Sequence, residues 1–245
     1  MSTAVVVTSG KGGTGKTSLT GGVSSCLAAL GRRVLCIDMD IGLRNLDISL
    51  GLTDRALMDF TDVLEGRCSL KRAAVPHPVI QNLYLLTAPL TLPPGISEER
   101  MKAFLRMARE QYDYILMDSP AGMGEGFRLA VCGADRAIVV STTDASALRD
   151  AQRVVSQLSR QLPSIHLVVN RVQPKLLRRL HTTIDDAMDA AGLPLLGVVP
   201  EDEQVMLSAN QGKPIILASR KGAAVAYLNI ARRLMGERVP LMHIR

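Results

Sequence analysis

The run Gly10-Lys11-Gly12-Gly13-Thr14-Gly15-Lys16-Thr17-Ser18 brings glycines, two lysines and hydroxyls together at the spacing G-x-x-x-x-G-K-[ST]. Residues of these types can hold phosphate. Glycines let the backbone wrap closely round an anion with successive N–H groups turned inward, and a helix starting directly afterwards adds partial positive charge. In such a loop Lys16 reaches the β- and γ-phosphates of a nucleotide such as ATP, and the Thr17 hydroxyl is placed to ligate Mg²⁺. A glycine-rich turn that matched by chance would need neither a strand before it nor a helix after it. Here an apolar run over residues 4–8 leads in, and a helix-compatible run follows.

Other apolar runs also end in side chains that could do chemistry. Residues 33–37 lead to Asp38-Met39-Asp40, residues 114–117 to Asp118, residues 165–169 to Asn170-Arg171, and residues 195–199 to Pro200-Glu201-Asp202. Open α/β sheets bind ligands at the carboxyl ends of their strands, which is where Asp38 and Asp40 stand. Asp118 closes an apolar strand as a Walker B carboxylate does. It is suited to hold Mg²⁺ through a water, because Mg²⁺ keeps much of its hydration shell. Asn170 has the amide donor and acceptor needed to read a base edge. Taken as residues alone, acids or an Asn at a strand end serve equally well as surface or loop caps.

The elements that must position these groups follow from hydrophobic pattern. With residues 83–87 and 137–141, the apolar runs are continuous rather than alternating, and so predict strands covered on both faces. Helical stripes lie between them. Leu148, Ala151, Val154, Val155 and Leu158 share one face at the helical period, and Ser97, with Arg100 rather than Glu three residues on, starts a helix without a full capping box. Strand–helix alternation predicts an α/β fold: a doubly wound, mostly parallel sheet with helices on both faces, in one domain over residues 1–245. The proline-rich residues 92–95 and 76–78 read as loops within it.

Composition narrows the function classes. Hydrophobic residues make up 47% of the 245, enough for a sizeable core, and aromatics only 3% with no Trp, which disfavours a nucleic-acid surface built on base stacking. The net charge of +6 is concentrated in the second part: residues 1–120 carry 13 Lys and Arg against 12 Asp and Glu, residues 121–245 carry 16 against 11. That excess suits an acidic partner or an anionic surface, or simply a solvated face. Cys26, Cys36, Cys68 and Cys132 lack C-x-x-C spacing, implying reduced thiols and a cytosolic compartment. Neither a leader nor an apolar run of the roughly 20 residues that span a bilayer is legible, so a soluble or at most peripheral protein is expected.

Lys11 makes the reading more specific. A lysine near the start of the loop has no place in an ordinary Walker A motif, and Lys11-Gly12-Gly13-Thr14-Gly15-Lys16-Thr17 resembles the deviant Walker A signature of the MinD/ParA ATPases. The resemblance implies an ATP-sandwiched homodimer in which Lys11 crosses to the partner subunit's phosphates, as an arginine finger does. The run from Asp38 through Ile41-Gly42-Leu43-Arg44-Asn45-Leu46-Asp47 and the segment Asp118-Ser119-Pro120-Ala121-Gly122 look like the MinD side of that family. So do Ala209-Asn210-Gln211-Gly212 and Gly236-Glu237, so that the likeness covers essentially the whole chain. It implies that Asp40 orients the attacking water, that Asp38 supports the metal shell, and that Asn170, Arg171, Pro200 and Asp202 surround adenine.

What the resemblance implies for function is slow MgATP hydrolysis coupled to placement of the division septum, with a MinC-like inhibitor and a MinE-like activator as partners. The helix carrying Arg149-Asp150 resembles the family's partner-contacting surface, although charge alone favours a solvated face. Family members continue into a basic amphipathic membrane helix. Leu241-Met242-His243-Ile244-Arg245 is too short for one, so only weak attachment to anionic lipid at the cytoplasmic face is expected. No specific nucleic acid is expected, although a ParA-like partition protein binding DNA through Arg171, Lys175, Arg178 and Arg179 is the alternative. A metal-cluster carrier would need paired cysteines, and an anion pump a second phosphate loop; the sequence has neither.

Overall fold

The computed structural model describes residues 2–242. The end of the tail, His243 to Arg245, lies outside the described residues. Eight strands form one sheet: β1 (Thr3–Thr8), β2 (Val34–Asp38), β3 (Val75–Pro76), β4 (Leu83–Leu86), β5 (Tyr114–Asp118), β6 (Arg136–Ser141), β7 (Ser164–Val172) and β8 (Leu195–Pro200). Their order is β3-β4-β2-β5-β1-β6-β7-β8, and every pairing is parallel except β3 with β4. The sequence misses β3. It is two residues long at the sheet's edge, and Pro76, which cannot donate a ladder hydrogen bond, is tolerated only there.

Strands this apolar need cover on both sides, and they have it. Val5 and Val7 of β1 face a core formed with Leu19, Val23 and Leu27 of the helix Lys16–Ala29 and with Tyr227 and Ile230 of the helix Ala223–Leu234. Ala4 and Val6 face the other core, with Met101, Phe104 and Leu105 of the helix Glu98–Arg109 and Ala151, Val154 and Leu158 of the helix Ala145–Leu158. Alternate residues thus enter opposite layers, as the period of two requires. The Glu98–Arg109 helix shows why local sequence suffices: its N-cap Ser97 accepts from Arg100 N at 3.3 Å, Glu98 and Glu99 occupy its first turn, and Arg106 and Arg109 its last, all favourable to the helix dipole.

Chain direction sets where a ligand can go. From β1 the connection runs to β2 on one side, whereas β5 leads across β1 to β6 and outward to β7 and β8. Loops leaving in opposite directions open a crevice at the carboxyl end of the central strand. Parallel register brings Asp118 level with Asp38 of β2 and Val7 of β1, so the two strand-end carboxylates stand side by side with the phosphate loop's first residues.

Candidate functional site

The loop between β1 and the Lys16–Ala29 helix uses its glycines for different reasons. Gly13 and Gly15 have φ of 79° and 88°, a left-handed backbone that a side chain resists. Gly15 is also closely approached: a Cβ there would sit 2.3 Å from Asn170 Nδ2. At Gly10 a Cβ would meet the backbone of Asp150 at 2.2 Å, so the loop lies directly against the Ala145–Leu158 helix. Cβ atoms at Gly12 and Gly13 would meet nothing within 4 Å, which leaves the middle of the loop open.

Lys16 is 8% exposed, and its ammonium donates to the neutral hydroxyl of Ser9 at 2.9 Å. Burial pulls its pKa below the ordinary ammonium value, opposed by the charges of Asp118 and Asp40. A buried cation with no carboxylate in direct contact is the environment a phosphate would complete. Thr14 Oγ1, at the same loop, is a buried oxygen without a hydrogen-bond partner. The loop therefore fits a polyphosphate.

The carboxylates lie near enough to Lys16 for their charges to act on it. Asp118 Oδ2 accepts from Thr17 Oγ1 at 2.7 Å and Oδ1 from Thr20 Oγ1 at 3.1 Å. Burial, then the neighbouring charge of Asp38, raises the Asp118 pKa to about 7. Asp38 accepts from the backbone N–H of Asp40 at 2.9 Å and of Leu46 at 3.1 Å, and burial lifts its pKa to about 6 against those two hydrogen bonds. Desolvation likewise raises Asp40, which Lys16 counteracts. Two adjacent acids pushed towards their neutral forms, chiefly by burial and then by neighbouring carboxylates, form a pair that a divalent cation would ionise and relieve. Among the described residues no group of three His, Cys, Asp or Glu converges on a metal. The donor set of Thr17, Asp38 and Asp118 instead suits Mg²⁺, which retains waters and shares phosphate oxygens.

At the β7–β8 end the structure ties the expected base contacts to the loop. Asn170 is 4% exposed and donates through Nδ2 to the Thr14 carbonyl at 2.8 Å, holding β7 to the phosphate loop. Arg171, at a left-handed φ of 56°, forms a two-pronged pair with Glu201 at 2.9 and 3.2 Å and also reaches Gly13 O at 3.3 Å. That pairing removes Arg171 from the basic cluster expected in the second half; Lys175, Arg178 and Arg179 remain exposed around the helix Pro174–Leu180. Pro200 ends β8. Asp202 accepts from Gln204 N at 3.0 Å with one oxygen and from Ala223 N at 2.9 Å with the other, so it caps two helices and fixes the loop beside Pro200.

Lys11 points away from its own loop. Its ammonium lies 2.8 Å from Ser146 Oγ and 3.3 Å from Asp144 Oδ2, at the N-terminus of the Ala145–Leu158 helix, with about half of the side chain exposed. Arg149 on the same helix is exposed, while Asp150 is paired with Arg153 at 3.3 Å. Sequence reasoning missed Ser9, Thr20, Asp144 and Ser146, and named Glu201 only as part of the run Pro200-Glu201-Asp202, not as the partner of Arg171. Ser9 and Glu201 adjoin motif residues, but hydroxyl and acidic side chains scattered along helices carry no spacing signal for Thr20, Asp144 or Ser146.

Residues 5–215 match the CobQ/CobB/MinD/ParA nucleotide binding domain. The chain belongs to that family. Within it the chain is similar to the septum site-determining protein MinD of Bacillus subtilis, 42% identical over 98% of this chain and 92% of the relative, and to that of Thermotoga maritima, 40% identical over 98% and 91%. Its backbone resembles that in the MinC:MinD cell division protein complex of Aquifex aeolicus, with a TM-score of 0.92 and 39% identity over 99% of both chains. It also resembles MinD of Pyrococcus horikoshii complexed with Mg-ADP, with a TM-score of 0.83 and 28% identity over 96% of both. The MinD side of the family, expected from the Asp38–Asp47 and Asp118–Gly122 segments, is thus the side on which the chain falls. Among the described residues no helix is long and apolar enough to cross a membrane.

Proposed function

We propose that this protein is an ATP-dependent, dimerising ATPase of MinD type that regulates division-septum placement, with residues 1–245 acting as one catalytic domain. The observation that carries the reading is the buried Lys16 ammonium, partnered by a neutral hydroxyl alone, beside the carboxylate that grips Thr17. The loop from Gly10 to Ser18 cradles the phosphates of ATP, with Lys16 and the helix N-terminus neutralising their charge. Thr17, Asp38 and Asp118 hold Mg²⁺, which neutralises charge on the β- and γ-phosphates when bound. Asp40 orients the attacking water. Asn170, Arg171 and Pro200 line the adenine pocket, and Asp202 enters by fixing their loop.

Lys11 supplies the charge that makes hydrolysis depend on a second subunit. In one chain it rests on Asp144 and Ser146, an exposed charge pair worth little energy and easily exchanged for the partner subunit's phosphates. The MinC:MinD complex supports a MinC-like partner for the dimer; a MinE-like activator and a cytoplasmic protein peripheral to the membrane belong to the same MinD-type proposal. The partition alternative has weaker support: the ParA family ATPase of Chlorobium tepidum is 20% identical, a likeness of fold alone.

Nucleotide binding, light scattering and phosphate release on three variants test the division of labour. Lys16→Ala should abolish ATP binding, Asp40→Ala should bind ATP without hydrolysing it, and Lys11→Ala should stay a folded monomer with ATP present. Equal loss of binding in the first two, or normal ATP-dependent dimers and stimulated turnover in the third, would overturn the assignment.

A further inference from the structure

Thr20 is completely buried in the middle of the Lys16–Ala29 helix, a place where an apolar side chain would pack as well. Its hydroxyl oxygen lies 3.1 Å from Asp118 Oδ1 and 2.9 Å from the Lys16 carbonyl. One turn earlier, on the same face of that helix, Thr17 Oγ1 lies 2.7 Å from the other carboxylate oxygen, Asp118 Oδ2. Two hydroxyls three residues apart on a rigid element therefore grip both oxygens of one carboxylate.

Resting on the MgATP reading above, we propose that Thr20 is a positioning residue for Asp118, fixing the plane of the carboxylate so that it is already aimed when Mg²⁺ arrives with the nucleotide. The freedom at stake is a torsion. The carboxyl group of an Asp rotates in a broad, two-fold well, so a single hydrogen bond from Thr17 leaves the second oxygen free to swing. A hydroxyl on each oxygen removes that freedom before the ligand binds, and preorganised ligands cost no ordering on binding. A purely structural role is also available to Thr20, since a helical threonine often bonds the carbonyl four residues back, here that of Lys16. That bond satisfies the hydroxyl but does nothing for Asp118, and the two roles respond differently to substitution.

Titration of a fluorescent ADP analogue, with Mg²⁺ varied and with EDTA, reads the difference. Thr20→Val removes the hydroxyl and keeps the shape. It should raise the half-saturating Mg²⁺ by about tenfold or more, tenfold being the low end of what one hydrogen bond to a charged group is worth, while the EDTA affinity stays within about twofold of wild type. Thr20→Ser keeps the hydroxyl and should restore the Mg²⁺ dependence. Should the valine variant unfold below the assay temperature, Thr20→Ala carries the same expectation. Wild-type Mg²⁺ dependence in the valine or alanine variant would overturn the proposal, as would a serine variant as impaired as the valine one. If the wild-type protein itself gains no nucleotide affinity from Mg²⁺, the MgATP reading falls and this proposal with it.

Discussion

Replacing Asp118 with Asn should make the ligand-free protein more stable at about pH 8, by a margin that shrinks to less than half at about pH 5. Asp118 is 1% exposed, and burial together with the charge of Asp38 raises its pKa from 3.8 to about 7. Between those two values the folded state holds a proton that the unfolded chain has released. The stability so gained is fully present below about pH 4 and is lost as the pH climbs through about 7. A displacement from 3.8 to about 7, at ~1.4 kcal/mol per pH unit, sets a ceiling of ~4 kcal/mol on the destabilisation at pH 8. Relaxation round a buried charge brings the expected gain from Asn to ~2–3 kcal/mol. Urea unfolding of both proteins in EDTA, without nucleotide, at four pH values from about 5 to 8 gives the difference curve. Taking the difference cancels groups of opposite sign such as His77, whose lowered pKa makes its contribution fall away on acidification. A difference that does not change with pH, or an Asn variant less stable than wild type at pH 8, would refute the reasoning.

Two further outcomes concern the frame of the site. Gly15→Ala puts a Cβ at a φ of 88° and 2.3 Å from Asn170 Nδ2, and should cost ~2–4 kcal/mol by chemical denaturation together with most of the nucleotide affinity; a variant within 0.5 kcal/mol of wild type (roughly the scatter of neutral substitutions) would argue against the close approach. Asp202→Ala removes the acceptor for two helix N-termini and should lower the unfolding free energy by ~2–3 kcal/mol, whereas Asp202→Asn, which keeps an acceptor oxygen, should recover part of it.

Much of this site could be read along the chain, because its chemistry sits at strand ends. An apolar run that stops at Asp38, Asp118 or Pro200 announces both the strand and the edge, and the seven longer strands lie within three residues of the expected bounds; β7 departs most, running on to Val172 with an irregular register, so that Asn170 and Arg171 lie inside it rather than at its end. What could not be read is pairwise and distant. Asn170 meets Thr14 across 156 positions, Lys11 meets Asp144 across 133, and Thr20 meets Asp118 across 98. None of these pairs has a local signature, since each depends on strand order and on how a helix rotates over the sheet. Arg171 illustrates the cost: counted in sequence it joins a basic cluster with Lys175, Arg178 and Arg179, yet in the fold Glu201 neutralises it. The short β3 was invisible for a different reason, being two residues set by its antiparallel neighbour rather than by any pattern of its own.

The packing of Gly22 against Tyr227 has a consequence for how the protein is made. A Cβ at Gly22 would stand 2.2 Å from the Tyr227 ring, so the nucleotide-binding helix is shaped to receive the helix Ala223–Leu234, which is made about 200 residues later. Leu19, Val23 and Leu27 share one core with Ala223, Tyr227 and Ile230. At ordinary elongation rates of about 5–20 residues per second, the apolar face of the first helix waits roughly ten to forty seconds for its cover. Throughout that interval the nascent chain carries its phosphate loop on an uncovered helix. The first helix is packed in its finished form only after the helix Ala223–Leu234 has been made.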